Sequence, residues 1–567
     1  MIQKFSILLF LNLLLSIPAF SQGTYWLGWK DSLGQVSNEK WLGFEDSIAR
    51  KGYMDSWVER AWEEGFLGAK VDRIHNQSDS LWVKWYQGPR IERLQLSSGN
   101  LPKDWDEFSN RSLKFEEVNR LFLDLLEKAE NSGYPFASIR LDSIVREEEM
   151  LQASLWVDLG PKIQWDTLRI EGNSVTKQSY LQQWSGIEVG SSFSQKELNL
   201  ATKRVGRNPY FRLMELPTLD FRLQKASPVF RLSDRNANVL DGILGVLPNE
   251  NEPGKVLITG QLDLELYHLG GKGRDVELHW QRFNELTQRL EVQAKESYIF
   301  GSGLDLRGEF SLLKQDTSFV NRRLGLHFGY QTQGPFYLDF FLRRQAGDLI
   351  STFAYKDATE LPERADFRWS EYGIQVSFDL LDDLVAPRRG SRIIFGFSAG
   401  NKEILQNTGI PQEAYEGLDL RTPQYSLIAK AEKHFFLKKN WGIYWAAAGG
   451  IIRNENLLQN DLFRLGGLQS IRGFNENFFF VRDYVYMNLE PRLFFGENSF
   501  LFLFSDWGFL ENPYFAGSNE QPFSVGSGLS FETESGVFRF VYAVGKTKEQ
   551  PLSLQFSKIH FGYLVRF

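Results

Sequence analysis

The chain has 567 residues and no cysteine. This absence excludes a disulfide framework, a cysteine metal site, a cysteine nucleophile and the acylated cysteine of a lipoprotein anchor. Histidine is scarce: the six residues are scattered without an H-x-x-x-H pattern, and there is no serine nucleophile elbow. The sequence therefore predicts no catalytic residue, no metal site and no cofactor, and an enzyme is not expected.

Charge of one sign is not concentrated anywhere in the chain. The net charge is −7 and no acidic or basic block is present, which argues against a nucleic-acid partner. Beyond the N-terminus, no uninterrupted apolar run reaches the length of about 20 residues that a membrane helix needs. Any membrane contact is therefore expected from strands.

Residues 1–21 are typical of a secretory signal peptide. Lys4 supplies the charge, residues 5–17 are mostly apolar, and Ala19-Phe20-Ser21 forms an A-x-S cleavage site. The alternative is an uncleaved membrane anchor, for which the apolar run is short. An exported chain without membrane helices is periplasmic, secreted or an outer-membrane barrel. The aromatic content of 15% is usual for a barrel with aromatic girdles.

The first half of the chain repeats itself. Short landmarks recur in a fixed order at a period of roughly 70 residues, which indicates a repeated small domain. The landmark pairs are residues 65–69 with 133–137, 88–91 with 160–163, and Gly99-Asn100 with Gly172-Asn173. We predict three α+β units with the order β-α-α-β-β, at residues 22–87, 88–160 and 161–226; generic α+β repeats are the alternative.

Local signals support helices in each unit. In the middle unit an apolar stripe with helical spacing predicts one helix, and it comprises Val118, Leu121, Phe122, Leu125, Leu126 and Ala129. A capping box at Ser194-Gln195-Lys196-Glu197 predicts a helix start in the third unit. A similar box at Ser56-Trp57-Val58-Glu59 predicts a short helix in the first unit that ends at Gly65.

From about residue 228 the hydrophobic period becomes two. Apolar and polar residues alternate through segment after segment of about ten residues, the length of a tilted strand that crosses a bilayer. A soluble β-sandwich also alternates, but recurrent charges on the second face favour a polar lumen. We predict sixteen strands in residues 227–567, near 237–248, 256–268, 274–284, 286–298, 303–314, 321–332, 335–346, 369–381, 391–401, 424–437, 441–453, 481–496, 498–508, 522–532, 535–546 and 553–567. Residues 347–368 and 401–423 are predicted extracellular loops.

A glycine-rich loop motif lies between the eleventh and twelfth predicted strands. Its residues are Gly466, Gly467, Leu468, Gln469, Ser470, Ile471, Arg472, Gly473 and Phe474. Downstream, Glu490 lies on the next strand, and residues 504–508 form an F-x-D-x-G motif with Phe504, Asp506 and Gly508. The chain ends on a strand in which Phe561, Tyr563, Val565 and Phe567 share one face.

Together these motifs resemble BamA/TamA-type outer-membrane assembly factors and two-partner secretion transporters. Ile471 and Phe474 replace the commonest Val and Tyr of the family loop and keep its chemistry. The resemblance implies α+β periplasmic POTRA repeats followed by an all-β, 16-stranded antiparallel transmembrane barrel in the outer membrane of a Gram-negative bacterium. It also implies that Arg472 folds into the lumen, that Glu490 and Asp506 pin it there, and that the C-terminal face is a strand signal for assembly.

The functional expectation follows from the same resemblance. The repeats would capture unfolded β-barrel or secreted client proteins by strand addition, and the barrel would insert them into outer-membrane lipid near its first and last strands. Accessory lipoproteins or an inner-membrane partner would leave no mark in this sequence. The rival functions are a two-partner secretion transporter with a dedicated substrate and a passive porin or adhesin; about 200 periplasmic residues have no use in a porin.

One further motif imitates a phosphate-binding loop. Residues 269–274 read Leu-Gly-Gly-Lys-Gly-Arg, but a P-loop needs a following helix and a Ser or Thr after the Lys. Predicted strands flank this segment on both sides. We therefore predict a periplasmic hairpin turn here, and the segment also resembles the first barrel turns of the family.

Overall fold

The computed structural model describes residues 25–31, 41–77, 80–108, 110–248, 256–284, 286–332, 334–383, 386–437, 440–514, 519–533 and 535–567. The predicted signal peptide, residues 1–21, lies outside the described residues. The described chain forms two compact units. The first comprises the chain up to Trp165 with Gly190–Glu197 and Leu223–Lys225, and the second comprises Asp166–Val189, Leu198–Arg222 and Ala226–Phe567.

The part of the chain before the barrel contains thirteen strands and four α-helices among its described residues. The strands are β1 Tyr25–Asp31, β2 Leu42–Phe44, β3 Lys70–Gln77, β4 Ser80–Tyr86, β5 Arg93–Ser97, β6 Ser112–Lys114, β7 Ser138–Glu147, β8 Met150–Asp158, β9 Gln164–Trp165, β10 Arg169–Gly172, β11 Phe211–Leu213, β12 Thr218–Arg222 and β13 Lys225–Asp234. The helices are α1 Ser47–Glu63, α2 Val118–Asn131, α3 Gln178–Ser185 and α4 Gln195–Gly206.

Three sheets share one pairing rule. In each, a strand that precedes the helices runs parallel to the last strand: β1 pairs with β4, β5 with β8, and β10 with β13. The strand before the last forms an antiparallel hairpin with it, as β3 does with β4 and β7 with β8. A parallel pair needs a crossover, and the helices between the two strands supply it. The unit boundaries at 87, 160 and 226 remain predictions, and β13 runs across the last of them.

The helix expected in the first unit starts earlier than its sequence signal indicated. Helix α1 begins after Asp46, whose side chain accepts a hydrogen bond from the Ala49 N–H at 2.6 Å. Ser56 lies inside the helix and donates its hydroxyl to the Tyr53 carbonyl at 2.7 Å. The prediction of a cap at Ser56 is therefore wrong, because a serine hydroxyl can also bond back to the preceding turn. One α-helix is described in each of the first two units and two in the third, so the predicted pair of helices is found only in the third, after two strands and before three.

The predicted apolar stripe lies on α2 and forms part of the core that the middle sheet shares with this helix. Val118, Leu121, Leu125 and Ala129 of α2 are buried, and they pack in one cluster with Leu94 and Leu155 of the sheet. Phe122 is partly buried against the same cluster. Gly133 ends this region with a φ of +99°, a conformation that favours glycine.

Sixteen long strands close into an antiparallel barrel, with one short extra strand, β29, beside β28. In order they are β14 Val239–Pro248, β15 Val256–Leu269, β16 Arg274–Arg282, β17 Gln288–Glu296, β18 Leu304–Gln315, β19 Phe319–Gln331, β20 Phe336–Leu349, β21 Asp366–Asp379, β22 Gly390–Leu405, β23 Arg421–Phe436, β24 Trp441–Arg453, β27 Asp483–Phe494, β28 Phe500–Glu511, β30 Phe523–Thr533, β31 Gly536–Lys546 and β32 Lys558–Arg566. The remaining three are β25 Phe463–Leu465 and β26 Phe479–Val481, which form a separate hairpin, and β29 Asn519–Glu520. The predicted strand number and the fold class are confirmed.

The strands next to the two predicted extracellular loops are longer than expected. β20 continues to Leu349 and β22 to Leu405, so the loops shrink to residues 350–365 and 406–420. Alternation of apolar residues stops where the strands leave the apolar band, whereas backbone pairing continues beyond it. Sequence period therefore marks the membrane-facing part of a strand and not its end.

The barrel is apolar outside and polar inside. On β19, Leu324, Leu326 and Phe328 are exposed, while His327 between them is buried. The His327 ring lies 3.0 Å from a Glu309 carboxylate oxygen and 2.9 Å from one of Asp339. Charged groups that face inward thus find partners, and the outward face suits lipid. Among the described helices none is both long and apolar enough to cross a membrane.

The predicted hairpin at residues 270–273 is present between β15 and β16, and the third repeat contacts it. The Lys177 N–H donates to the Gly271 carbonyl at 2.8 Å, and Thr176 Oγ1 lies 3.0 Å from His268 Nε2. A Cβ on Gly273 would lie 2.3 Å from the Tyr180 ring. These glycines therefore admit a close packing contact.

The outward face of β19 gives a direct test of the membrane assignment. Leu324 is 62% exposed near the middle of the strand, and an arginine at the bilayer midplane costs about 2–4 kcal/mol. We expect Leu324→Arg to lower the folded fraction in liposomes, measured by heat-modifiable gel migration across a urea series. Leu216→Arg is the control, since Leu216 is 78% exposed outside the barrel; equal losses for both variants would contradict a lipid-facing β19.

Candidate functional site

The candidate site is the loop between β24 and β27, residues 454–482. It contains the β25–β26 hairpin, and the predicted glycine-rich motif forms the connection between these two short strands. Ile471, Arg472 and Phe474 are buried, with Ile471 fully inaccessible. The loop therefore seats its tip inside the barrel wall and not in solvent.

Arg472 makes four hydrogen bonds to two carboxylates. Its Nε donates to Asp506 Oδ2 at 2.9 Å and its Nη2 donates to Asp506 Oδ1 at 2.5 Å. Its backbone N–H also donates to Asp506 Oδ2 at 2.9 Å, and Nη1 donates to Glu490 Oε1. The fork of the guanidinium matches the two oxygens of Asp506, which fixes both position and orientation. The structure thus brings together the three charged residues that the motifs nominated.

The wall supplies further partners to this ion pair. Glu490 Oε2 accepts from Arg492 Nη2 at 2.8 Å and from Arg492 Nε at 3.1 Å. Ser524 Oγ donates to Asp506 Oδ2 at 3.3 Å. The Arg472 guanidinium lies 3.7 Å from the ring centroid of Phe504, a cation–π contact. Arg472 and Arg492 thus balance the charges of Asp506 and Glu490 beside the Phe504 ring. Each buried charge of this cluster therefore has a partner.

Tight packing sets the backbone of the tip. Gly466, Gly467 and Gly473 have φ values of +115°, +91° and +85°. A Cβ on Gly473 would lie 2.7 Å from the Gly545 nitrogen of β31, and a Cβ on Gly508 would lie 2.8 Å from Ile471 Cδ1. Glycine at 473 permits both the left-handed turn and the contact with the wall.

The rest of the motif holds the loop's own shape. The Gly466 N–H donates to Ser470 Oγ at 2.8 Å, and the Ser470 carbonyl accepts from Asn488 Nδ2 at 2.7 Å. Phe474 packs edge-on against Phe479 with ring centroids 4.9 Å apart. Gly466, Ser470 and Phe474 therefore help to seat the tip.

Four partners of the site were absent from the predicted set. They are Arg492, Asn488, Ser524 and Glu476, of which Glu476 accepts the Leu468 N–H at 2.8 Å. Asn488 and Arg492 share the face of Glu490 in the alternating strand, so parity could have nominated them. Ser524 and Glu476 carry no such signal, because their places depend on strand register and on the fold of the loop.

The predicted C-terminal residues lie apart from this cluster. Phe561 and Tyr563 of β32 pack on Phe540 and Phe538 of β31, each with ring centroids 4.7 Å apart. Val565 belongs to the same strand, and Phe567 follows its end, exposed. These aromatic rings strengthen the β31–β32 pair; their role as an assembly signal remains a prediction.

The site holds a loop in place and carries no reactive group. The guanidinium donates and the carboxylates accept, and no nucleophile with an adjacent base takes part. Within the described ranges, no group of three or more His, Asp or Glu side chains is arranged to hold a metal ion. We interpret the arrangement as a structural pin.

Comparison with known proteins gives a family and a fold. A family model described as the Omp85 superfamily domain matches residues 269–563. The fold is similar to CdiB from Acinetobacter baumannii, at 10% identity over 92% of this chain and 98% of that chain, with a TM-score of 0.54. CdiB from Escherichia coli has 12% identity over 91% and 97% and a TM-score of 0.52. BamA from Haemophilus ducreyi lacking POTRA domains 1–3 has 16% identity over 83% and 98% and a TM-score of 0.44. No curated protein matches the chain.

Removing the pin should destabilise the barrel. Arg472→Ala would leave Glu490 and Asp506 without their shared partner, and loss of one member of a buried pair costs about 3–5 kcal/mol. We expect a lower urea midpoint and altered heat-modifiable gel migration. Arg482→Ala is the control, since Arg482 lies in the same loop with partly exposed ion pairs to Asp483 and Glu511, which contribute about 0–1 kcal/mol. If both variants behave alike, the pin interpretation is wrong.

The glycine at the tip gives a second test. Gly473→Ala adds a Cβ that meets backbone atoms of β31, whereas Gly417 has a similar φ of +76° and no atom within 4 Å of an added Cβ. Both substitutions carry the cost of a left-handed alanine, about 1–2 kcal/mol. We therefore expect Gly473→Ala to shift the urea midpoint further than Gly417→Ala. Equal shifts would show that contact with the wall does not constrain the tip.

Proposed function

The chain belongs to the Omp85 superfamily, and on that premise we propose that it inserts unfolded β-barrel clients into the outer membrane. Its N-terminal repeats would lie in the periplasm as POTRA domains and capture the client. The barrel would then offer its first and last strands as the place of insertion. Nothing in this process needs a nucleotide, because burial of the client's apolar surface is itself favourable.

The observation that carries this proposal is that a pinned loop and a packed group of loops belong to the barrel and stand in the way of a path through the lumen. The pinned loop contacts inward-facing residues of the barrel, and loops pack together at the barrel end opposite to the 270–273 turn. Those loops, which we name the cap, are residues 350–365, 406–420 and 454–462. A passive porin needs an open lumen, so the cap and the loop argue against that function.

The cap has a packed core of its own. Tyr415 and Leu458 of the cap are buried in one cluster with Phe367 of β21 and Ile404 of β22. The fully buried Lys402 pairs with Asp461 and donates to the Asn456 carbonyl at 2.9 Å. Breaking such a pair leaves an unpaired buried charge. The cap is thus built to stay shut, which favours a client path other than through it.

The seam between β14 and β32 supports a lateral path. Six residue pairs join these two strands, from Val239 opposite Arg566 to Leu244 opposite Phe561. Seven pairs join β31 and β32, whereas fourteen join β21 and β22. Fewer ladder hydrogen bonds make this part of the wall the least costly to open, and its unpaired groups would then template a client strand.

Client capture is best supported at β7. This strand forms the edge of the second sheet, is ten residues long, and exposes Ile144 and Val145. The opposite edge, β6, has only three residues. A long edge with unpaired N–H and C=O groups suits strand addition, which tolerates many client sequences.

The range of clients and partners belongs to the same proposal. Three repeats favour a specialised, TamA-like member, with accessory lipoproteins or an inner-membrane partner as further components. Depletion of the protein followed by profiling of the outer-membrane proteome separates the cases. Loss of many barrels indicates general assembly, and loss of one product indicates dedicated export by a two-partner secretion transporter.

Two locked variants test the path of the client. Because the chain has no cysteine, paired cysteines are its only thiols. Asp241→Cys/Leu564→Cys joins residues that face each other across the seam. Ala365→Cys/Asn460→Cys joins the cap, where Asn460 Nδ2 donates to the Ala365 carbonyl at 3.1 Å. Each pair is oxidised or bridged with a short bis-maleimide in liposomes, and insertion of a urea-unfolded barrel client is timed.

We expect the seam lock to reduce insertion to the rate of liposomes without the protein, with recovery after reduction of the disulfide. The cap lock should leave the insertion rate unchanged, because the client does not pass through the cap. The reverse result, in which the cap lock stops transport and the seam lock does not, would contradict insertion and support export through the lumen.

A further inference from the structure

The longest turn at the repeat-proximal end of the barrel reaches across to the seam. It connects β21 and β22 and comprises residues 380–389, of which 380–383 and 386–389 are described. β21 is the eighth strand of the barrel and β32 the sixteenth. The eighth and sixteenth strands of a closed sixteen-stranded barrel lie on opposite sides. The turn after β21 must therefore cross the barrel end to contact β32.

Asp383 of this turn bridges both sides of the seam. Arg566 Nη2 donates to Asp383 Oδ1 at 2.7 Å, and Arg235 Nη1 lies 3.9 Å from Asp383 Oδ2. Arg566 belongs to the last strand, and Arg235 stands four residues before the first. Arg235 Nη1 also donates to the Asp382 carbonyl at 3.2 Å. One carboxylate therefore ties the entry to the first strand and the end of the last strand to the same turn.

The turn is itself anchored to two other barrel strands, β23 and β27. The Arg388 guanidinium lies 4.3 Å from the ring centroid of Phe436 and 4.7 Å from that of Phe494. The Asp382 carboxylate accepts the Arg388 N–H at 2.9 Å and the Arg389 N–H at 3.1 Å. These contacts hold Asp382, Arg388 and Arg389 in place, so Asp383 follows directly on an anchored residue.

We propose that the described part of this turn, residues 380–383 and 386–389, is a clamp that holds the repeat-proximal end of the seam closed through Asp383. The side chains of Arg235, Asp383 and Arg566 are each about one-fifth exposed, so water screens their attraction less than on an open surface. The clamp acts where the ladder begins, at the pair of Val239 and Arg566. A client that separates β14 from β32 must first break the contact between Arg566 and Asp383. The clamp therefore rests on the proposed function and adds the group that resists opening.

The clamp makes a prediction about seam opening without any client. In Asp383→Asn, amide hydrogen exchange of residues 239–244 and 561–566 should accelerate about three- to tenfold, the effect of losing one modest ion pair on a local opening. Exchange is measured by mass spectrometry on the full chain in nanodiscs. In the wild-type chain the Ala386 N–H donates to Asp383 Oδ1 at 2.9 Å. The side-chain oxygen of asparagine can accept the same hydrogen bond, so the variant should keep this contact of the turn.

Two comparisons separate a clamp from general loosening. Asp379→Asn is the matched control, because Asp379 lies at the base of the same turn and pairs with Arg392 at 2.7 Å; its seam exchange should stay at the wild-type rate. Arg566→Gln should accelerate the seam as Asp383→Asn does, without altering the turn. The double variant should exchange no faster than Asp383→Asn alone, since both changes remove the same contact.

Unchanged seam exchange in Asp383→Asn, or the same acceleration in Asp379→Asn, would overturn the clamp. Equal acceleration of the β18–β19 ladder would overturn it as well, because a clamp acts only on the seam. The assay needs no client, so the clamp can fail while insertion activity persists. Conversely, a chain without insertion activity that still shows the exchange pattern would contradict the proposed function and leave the clamp standing.

Discussion

The inside of this barrel is organised around one buried arginine. Arg472 brings a charge to a place from which most water is excluded, and such a charge is tolerated only with good hydrogen-bonded partners. Asp506 and Glu490 meet that need from two neighbouring strands. Because each carboxylate would itself be costly without a cation, the loop and the wall require each other. The lumen thus carries a structural element that cannot leave without separating the charges of Arg472 and Asp506, whereas Glu490 would keep Arg492 as a partner.

The ends of the barrel follow the same logic with different residues. At the cap, Lys402 and Asp461 are buried together under loops with an apolar core. At the other end, Asp383 faces Arg235 and Arg566 in a half-buried setting. Full burial makes the cap pair hard to break, whereas partial exposure makes the seam contact easier to exchange with water. This difference is consistent with a barrel that opens at the seam between β14 and β32 more easily than at the cap.

Local periodicity was enough to predict the barrel, whereas the pin was predicted from the resemblance of the loop and strand motifs to a known family. Period two marks strands because side chains alternate between lipid and lumen, and Asp506 and Glu490 stand beside recognisable residues. The helix start at Asp46 was missed because the Ser56 box satisfies the same pattern inside a helix. Lys402 with Asp461 and Asp383 with Arg566 lie 59 and 183 residues apart. Such pairs depend on closure and loop folding, which no local pattern encodes.

The glycine-rich turn at 270–273 shows why a motif needs its context. A phosphate loop and this turn use glycine for one reason, which is close approach to backbone. Here the approaching group is the third repeat. Tyr210 stacks on His268 with ring centroids 4.7 Å apart and donates its hydroxyl to Asp275 at 2.8 Å. Burial and the Asp275 carboxylate raise the pKa of Tyr210 well above its usual value, so the hydroxyl keeps the proton it donates. Tyr210 therefore joins the first turn of the barrel through both a ring contact and a hydrogen bond.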